Sequence, residues 1–384
     1  MFEFQVVMAI LGCVYVAGII WLLVGLRRVK CSVEGETPSV SIIVAARNEE
    51  RSISACLRAL QLQDYKGKLE IVVVDDRSSD RTAEIANHIG TKWSAIRVVC
   101  VIDGEEEYLC PKKNALARGI AVSSGELLLF TDADCEPSPA WVRITVGMFA
   151  DDIGVVAGYA RPNKTRWLRH RVLSLENLAV SAMAAGSIGS GTVLSCTGRN
   201  LAYRKRVYDE VGGYQHIGHL IAGDDVYFAR LVAERTNWGM AYCRDPQAVV
   251  VCDPGSQSWV ALAHQKLRHA SKAGHFRGFA KILGIAVYLF HLTLLFAMVL
   301  TFLIERMPPA FPIIWGSRWL LDLVLLKSFA VTSEDRKLII FLPILEIVYI
   351  PYVLLFVPAG ALGWFRWREE DKRNDDGLIE TTVS

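Results

Sequence analysis

The sequence lacks a charge excess and any paired cysteine motif. Its 384 residues carry 42 basic and 40 acidic side chains, a formal net charge of +2, so charge gives no reason to expect a nucleic acid partner. The nine cysteines are scattered without a Cys-x-x-Cys pair, which excludes the usual zinc and redox motifs. They suit a reduced, cytoplasmic compartment, where free cysteine serves as a small buried hydrophobe.

Hydrophobic residues, by contrast, make up 52% of the chain, a share typical of a membrane protein. An apolar run over residues 4–26 is long enough to span a bilayer. Its positive charges, Arg27, Arg28 and Lys30, follow the run, whereas a cleavable signal peptide has them in front. Residues 1–30 are therefore predicted to be an uncleaved transmembrane anchor, with the chain after it in the cytoplasm.

A C-terminal transmembrane region is predicted over residues 282–365, followed by a polar tail at 366–384. Its apolar blocks lie at residues 282–303, 311–330 and 338–364. The middle block is the weakest span because it carries three charges, and the last contains three prolines and can be bent or re-entrant. Four full spans would put the tail outside, but its basic residues favour the cytoplasm. One segment is therefore expected not to cross fully; those basic residues are Arg366, Arg368, Lys372 and Arg373.

The middle of the chain, residues 31–255, has the composition of a soluble domain. Buried strands are predicted at residues 40–45, 69–74, 96–101 and 126–130, and helical patterns at 47–60, 81–89, 112–123 and 226–234. Strands that alternate with helices indicate an α/β domain with a mainly parallel sheet and helices on both faces. Ligands of such sheets bind at the carboxyl ends of the strands.

Acidic residues gather at these predicted strand ends. Asp75 and Asp76 close the second strand, and Asp132 and Asp134 follow the fourth. Residues two apart on a strand point to the same face, so the second pair should repel unless a cation lies between them. Mg²⁺ and Mn²⁺ prefer carboxylate oxygens, which predicts a divalent metal site; the alternative is an acidic turn.

Six segments occur in an order and spacing that resemble one enzyme family. They are Val44–Glu50, Val74–Asp80, Pro111–Gly119, Asp132–Asp134, Gly223–Asp225 and Gln265–His269. Together they resemble the processive and lipid-linked members of glycosyltransferase family 2, which have the nucleotide-sugar-binding GT-A fold. The resemblance covers residues 40 to 269, and the flanking spans are also typical of that group. Two positions depart from it: Ala117 replaces an asparagine, and His269 replaces the tryptophan of Gln-x-x-Arg-Trp.

The resemblance implies a role for each motif. Asp134 would bind the metal, with Asp132 on the ribose or the metal's water shell. The nucleotide sugar would be bound by Ala45, Glu49, Asp75, Asp76, Lys112, Asp132, Gln265 and Arg268. Asp225 would be the general base that takes the proton of the acceptor hydroxyl in an inverting transfer. The alternative is that this acidic pair caps the helix at 226–234; we expect Asp224 to cap and Asp225 to react. Gly198, Asn200 and His269 would lie on the acceptor side.

The function implied is a membrane-bound inverting glycosyltransferase at the inner membrane, with a cytoplasmic catalytic domain. It would move a sugar from a nucleotide sugar, expected to be UDP-linked, to the hydroxyl of a membrane lipid. Residues 256–281 mix aromatic and basic side chains and suit a helix in the membrane interface. The alternatives are a polysaccharide synthase, a polyprenyl-phosphate sugar transferase, or an inactive family member that serves as a membrane scaffold. The intact Asp132, Asp134, Asp225 and Arg268 argue against a scaffold.

Overall fold

The computed structural model describes residues 2–29, 35–102, 109–163, 167–220, 223–253, 258–304 and 307–364. Lys30 and the predicted tail at 366–384 lie outside them. The chain forms two compact units. The α/β unit comprises Gly18–Pro254 and Leu320–Leu342, and the helical unit comprises Met1–Ala17, Gly255–Trp319 and Pro343–Ser384.

The α/β unit is built on a seven-stranded sheet. In order across the sheet its strands are β3 (Ile96–Cys100), β2 (Leu69–Asp75), β1 (Val40–Ala46), β4 (Leu127–Asp132), β8 (Leu201–Arg204), β6 (Ile153–Gly158) and β9 (Gly239–Cys243). Only the two pairings made by β8 are antiparallel, and the other four are parallel. The predicted α/β class with a mainly parallel sheet is confirmed, together with the four predicted strands.

A second, three-stranded sheet was not predicted. It consists of β5 (Cys135–Pro137), β10 (Val250–Cys252) and β7 (Ala160–Pro162). Each strand has three residues, too few to show the alternation of a half-buried strand. Because β5 begins directly after Asp134, this sheet fixes the position at which the acidic segment leaves β4.

Helices surround the sheets of the α/β unit. They are α2 (Ile53–Gln61), α3 (Thr82–Lys92), α4 (Pro111–Val122), α5 (Trp141–Val146), α6 (Leu168–Gly189), α7 (Lys205–Glu210), α8 (Val226–Arg235) and α12 (Ser333–Leu338). The helix predicted to open at Arg47 begins at Ile53 instead. Asn48 lies in the left-handed region, with φ 55°, a backbone conformation that an α-helix cannot include.

The core lies on the central strands. Ile42, Val73 and Leu129 have no exposed surface, and Trp141 is equally buried. Burying a side chain of this size stabilises the fold by about 1.5–3 kcal/mol. Burial of the continuous apolar runs of β1, β2 and β4 therefore stabilises the centre of the sheet.

The N-terminal helix α1 (Phe2–Arg28) touches α6 through glycines. A Cβ atom on Gly25 would lie 1.8 Å from the carbonyl oxygen of Gly186, so the helices approach too closely for any side chain there. Among the described residues, four helical stretches are long and apolar enough to cross a membrane: α1, α6, Gly278–Leu303 and Ser333–Ala361. Of these, α6 is the most buried: 61% of its apolar 18-residue segment lies inside the protein.

The helical unit contains the remaining apolar helices. They are α9 (Trp259–Ser271), α10 (Gly278–Ile304) and α13 (Leu342–Ala361), together with the first half of α11 (Ala310–Phe329). Phe290, Leu294 and Ile350 form its buried centre. A guanidinium nitrogen of Arg318 lies 2.7 Å from a carboxylate oxygen of Glu346, and both side chains are almost completely buried.

Candidate active site

Two loops at the carboxyl edge of the sheet are tied to each other. The amide N–H of Asn48, after β1, donates to the Ser78 hydroxyl after β2 (3.0 Å), and the Ser79 N–H donates to the Asn48 side chain (2.8 Å). Asn48 and Arg77 both have φ near +55°, a conformation that costs energy in residues other than glycine and often marks a functional loop. The Glu49 N–H donates to the Thr82 hydroxyl (2.8 Å). These bonds hold Glu49 and the acidic end of β2 on one rim.

The two aspartates at the end of β2 have different surroundings. Asp76 is paired with Arg77 (3.0 Å) and lies 3.8 Å from Arg47. Asp75 accepts a hydrogen bond from the Ser78 N–H through Oδ2 (3.3 Å). Its Oδ1 is buried and has no hydrogen-bond partner within the part of the chain that the structure describes. A buried unsatisfied acceptor is costly, so Asp75 is the one suited to receive a donor from a ligand.

The strand register brings three of the predicted nucleotide-binding residues to one edge. Ala45 pairs with Asp132 across β1 and β4, and Ala46 pairs with Asp75 across β1 and β2. The expectation that acidic side chains gather at the strand ends is therefore confirmed for these positions.

The Asp132–Asp134 segment keeps its negative charges partly uncompensated. Burial, followed by the charge of Asp132, raises the pKa of Asp134 above its usual value, against the opposing effects of the Cys135 thiol and the Arg199 and Lys112 cations. The thiol donates to Asp134 Oδ1 at 3.1 Å. A bound cation would relieve this repulsion, and the hard oxygen pair suits Mg²⁺ or Mn²⁺. The described residues contain no cluster of three or more potential metal ligands, so other oxygens would have to complete the coordination.

Lys112, in the first turn of α4, connects the two acidic segments. Its ammonium lies 2.8 Å from Asp132 and 3.7 Å from Asp224. Burial lowers the pKa of Lys112, but the carboxylates of Asp132, Asp224 and Asp225 outweigh it and hold the pKa above the ordinary value. The lysine is therefore a fixed positive charge between the Asp132–Asp134 segment and the acidic pair.

Asp225, rather than Asp224, caps α8. Its Oδ1 accepts from the Val226 N–H (2.6 Å) and its Oδ2 from the Gly198 N–H (3.2 Å). The expectation that Asp224 caps was wrong, because α8 begins at Val226 and the capping position is the residue directly before it. Asp224 instead faces Lys112.

The segment opposite this pair contains two of the predicted acceptor-side residues. A Cβ on Gly198 would lie 3.2 Å from Asp224 Oδ2, so glycine leaves room at the carboxylates. Asn200 is 2% exposed, donates to the carbonyls of Tyr159 and Ala248, and accepts from the Trp141 indole. Its amide holds the fold, and a role at the acceptor stays a prediction.

Arg199 is a site residue to which the sequence analysis gave no role. Its charge acts on Asp134, and its guanidinium donates to Asn177 of α6 (3.2 Å). Asn177 in turn donates to the Ala160 carbonyl of β7 (2.9 Å). A basic residue directly after Gly198 was the available signal, but the long helix that positions it was not predicted.

Gln265, Arg268 and His269 belong to α9 in the helical unit. The first two lie one turn apart, and the Ser258 hydroxyl caps the helix by accepting from the Ala261 N–H (3.2 Å). The predicted interfacial segment at 256–281 thus forms α9, a 3-10 turn over Lys272–His275 and the start of α10. Nucleotide contacts for Gln265 and Arg268, and an acceptor contact for His269, stay predictions.

The chain is similar to several known glycosyltransferases. The profile of "Glycosyl transferase family 2" matches residues 41–212. Glycosyltransferase AglE of Haloferax volcanii is 30% identical over 222 residues, covering 56% of this chain and 67% of the relative. Beta-monoglucosyldiacylglycerol synthase of Trichormus variabilis is 27% identical over 252 residues. The matched region covers 64% of this chain but only about half (51%) of that relative. The mannosyltransferase PcManGT from Pyrobaculum calidifontis, solved with GDP-Man and Mn²⁺, shares the fold at TM-score 0.58 and 20% identity, covering 94% of this chain and 98% of its own.

Proposed function

The chain is a member of glycosyltransferase family 2, and from this premise we propose that it transfers a sugar from a nucleotide sugar to a membrane lipid with inversion at the anomeric carbon. The observation that carries the proposal is the cluster of Asp132, Asp224 and Asp225 around the Lys112 ammonium. Such a set provides a cation for phosphate, a carboxylate for a metal and a carboxylate for a proton at one sheet edge.

The donor is proposed to lie along the rim formed by the loops after β1 and β2. The unsatisfied Oδ1 of Asp75 can accept a hydrogen bond from the imide N–H of a uracil base, and we favour a UDP-linked sugar because the family resemblance implies that this aspartate lies near a uracil. Ala45 and Glu49 would line the same pocket. Asp134 and Asp132 would hold a divalent metal, which when bound neutralises charge that develops on the leaving diphosphate. Lys112 adds a point charge for phosphate.

Asp225 is the proposed general base. Its carboxylate is held by two backbone N–H groups, from Val226 and Gly198, so its position does not depend on a flexible side-chain rotamer. A carboxylate oxygen has two lone pairs, so an oxygen that accepts one N–H can also accept the proton of an acceptor hydroxyl. Positioning of this kind converts a bimolecular encounter into reaction of groups already in place.

The lipid acceptor is supported by the apolar helices and by one relative. Four stretches of the described chain are long and apolar enough to cross a membrane, although α6 is mostly buried inside the α/β unit. The relative from Trichormus variabilis is named for a glucosylated diacylglycerol. His269 stands where the processive enzymes resembled here have tryptophan, which favours a lipid over a growing polysaccharide. We place the enzyme in the inner membrane with the α/β unit in the cytoplasm, because Arg27 and Arg28 follow α1.

We expect donor turnover to depend on a divalent metal held by Asp134. Excess chelator should abolish release of UDP from a labelled UDP-sugar, and Mn²⁺ or Mg²⁺ should restore it. Asp134→Asn should weaken Mn²⁺-dependent UDP binding, measured by titration calorimetry, by roughly tenfold or more. Asp151→Asn, at an exposed position, is the matched control and should bind like the wild type. Full turnover in excess chelator would contradict the metal role.

A further inference from the structure

A cavity of about 390 Å³ lies in the α/β unit between β7, α6 and α12. Its basic lining residues are Arg161 of β7, Arg171 of α6 and Lys337 of α12. Apolar side chains, including Leu338 and Phe341, line another part of it. These residues are distinct from those of the candidate active site. We refer to this space as the basic cavity; its size is that of a small-ligand site.

The charges of the basic cavity leave an excess of cations. Two acids, Glu334 and Asp335, also line it, which gives a formal net charge of +1. Asp335 is already engaged, because its Oδ1 accepts from the Tyr159 hydroxyl (2.8 Å) and its Oδ2 from the Thr332 N–H and hydroxyl (2.8 Å each). Glu334 is paired with Lys337 (3.1 Å). The lining residues therefore include one more cation than acids.

Arg161 provides a second, independent sign of a missing anion. Its Nε is buried and has no hydrogen-bond partner among the described residues, although its Nη1 donates to the Pro162 carbonyl at 3.4 Å. A buried guanidinium N–H normally finds an acceptor. Guanidinium groups match the oxygens of phosphate in geometry as well as in charge.

The surroundings of the basic cavity are those of a membrane surface. Phe341, in its lining, directly precedes Leu342, the first residue of α13, in the apolar stretch Ser333–Ala361. Ile340 is 77% exposed. Trp167, which lies one turn before Arg171 of α6, is 75% exposed. Exposed tryptophan beside basic residues is typical of the boundary between a membrane and water.

We propose that the basic cavity binds the phosphate group of a membrane lipid, while the lipid's acyl chains stay in the bilayer. The two arginines would receive the phosphate oxygens and Lys337 would add charge at the opening. Basic residues next to a membrane-spanning helix attract anionic lipids in this way. The binding does not depend on the transfer reaction, so it can be tested without turnover.

The test is native mass spectrometry of the full chain in detergent, with one lipid added at a time. Phosphatidylglycerol should form a one-to-one adduct and diacylglycerol, which lacks phosphate, should not. The double variant R161Q/R171Q should weaken the phosphatidylglycerol adduct roughly tenfold or more, because two cations next to the membrane are removed. The control K327Q/R336Q removes the same charge from a second cavity of about 560 Å³ and should bind like the wild type.

Several results would overturn the proposal. One is an equal loss of the phosphatidylglycerol adduct in both double variants, and another is a diacylglycerol adduct as strong as that of phosphatidylglycerol. A third is complete displacement of the lipid by millimolar inorganic phosphate, which would make this a site for free phosphate. If R161Q/R171Q does not fold, Lys337→Gln replaces it, because that side chain is 73% exposed and its loss cannot disturb the packing. It should weaken the adduct by roughly threefold, and an unchanged adduct would count against the proposal.

Discussion

Replacing Asp225 with asparagine should lower the rate of sugar transfer by ~10²- to 10⁴-fold. Asparagine has nearly the same size and is as good a helix cap as aspartate, so the bond from the Val226 N–H that begins α8 should persist. The substitution removes the ability to take up a proton, and it also replaces the oxygen that accepts the Gly198 N–H by an amide nitrogen, which cannot accept that bond. Binding of the nucleotide sugar, measured by titration calorimetry, should therefore stay close to that of the wild type while the turnover number falls.

Asp224→Asn is the matched control for this experiment. It makes the same chemical change one residue away, at a carboxylate that faces Lys112 (3.7 Å). Because Lys112 keeps its closer partner Asp132 (2.8 Å), we expect the smaller loss of rate from this variant. If Asp225→Asn stayed within about threefold of wild type, less than ~1 kcal/mol of barrier, and Asp224→Asn were inactive, the base would be Asp224.

Breaking the Arg318–Glu346 ion pair should lower the free energy of unfolding of the helical unit by about 3–5 kcal/mol. The two groups are 2.7 Å apart and 2% and 5% exposed, so Glu346→Gln removes the carboxylate that lies next to a buried guanidinium. Thermal unfolding of the detergent-solubilised protein should show a clearly lower midpoint.

The double variant R318M/E346L separates lost charge balance from lost packing. Replacing both partners of a buried pair by apolar side chains of similar volume is often neutral or stabilising, so this variant should recover most of the stability lost in Glu346→Gln. If Glu346→Gln unfolds at the wild-type midpoint, or the double variant is as unstable as the single one, the pair does not hold α11 and α13 together.

The parts of the fold that could be predicted from the sequence are those that bury continuous apolar runs. β1, β2 and β4 are such runs, each ends on polar residues, and parallel strands place those ends on one edge. This reasoning predicts that Asp75, Asp76, Asp132 and Asp134 lie at one edge, whereas the place of Ala45 in the nucleotide pocket is implied only by the family resemblance. The prediction from strand ends does not depend on where the helices begin and end.

The rest depends on tertiary contacts that leave little local signal. The long helix α6 has charged and polar residues in its first half and small residues in its second half, without a strong one-sided pattern. The close contact between Gly25 and Gly186 only appears once both helices are placed. The unsatisfied oxygen of Asp75 cannot be seen in a sequence at all. The choice between Asp224 and Asp225 as the cap depended on a single residue at the start of α8, where sequence patterns are least reliable.

The most direct test of glycosyl transfer to lipid is a product analysis with the purified protein. Full-length chain in detergent would be incubated with Mn²⁺, labelled UDP-sugars or, in parallel, GDP-mannose, and total membrane lipid. Reaction products would then be separated by organic extraction, with Asp225→Asn as the inactive control. We expect label from a UDP-sugar in an organic-soluble glycolipid that the control does not make. Label found only in a water-soluble polymer of high molecular weight would contradict the lipid acceptor and identify a polysaccharide synthase instead.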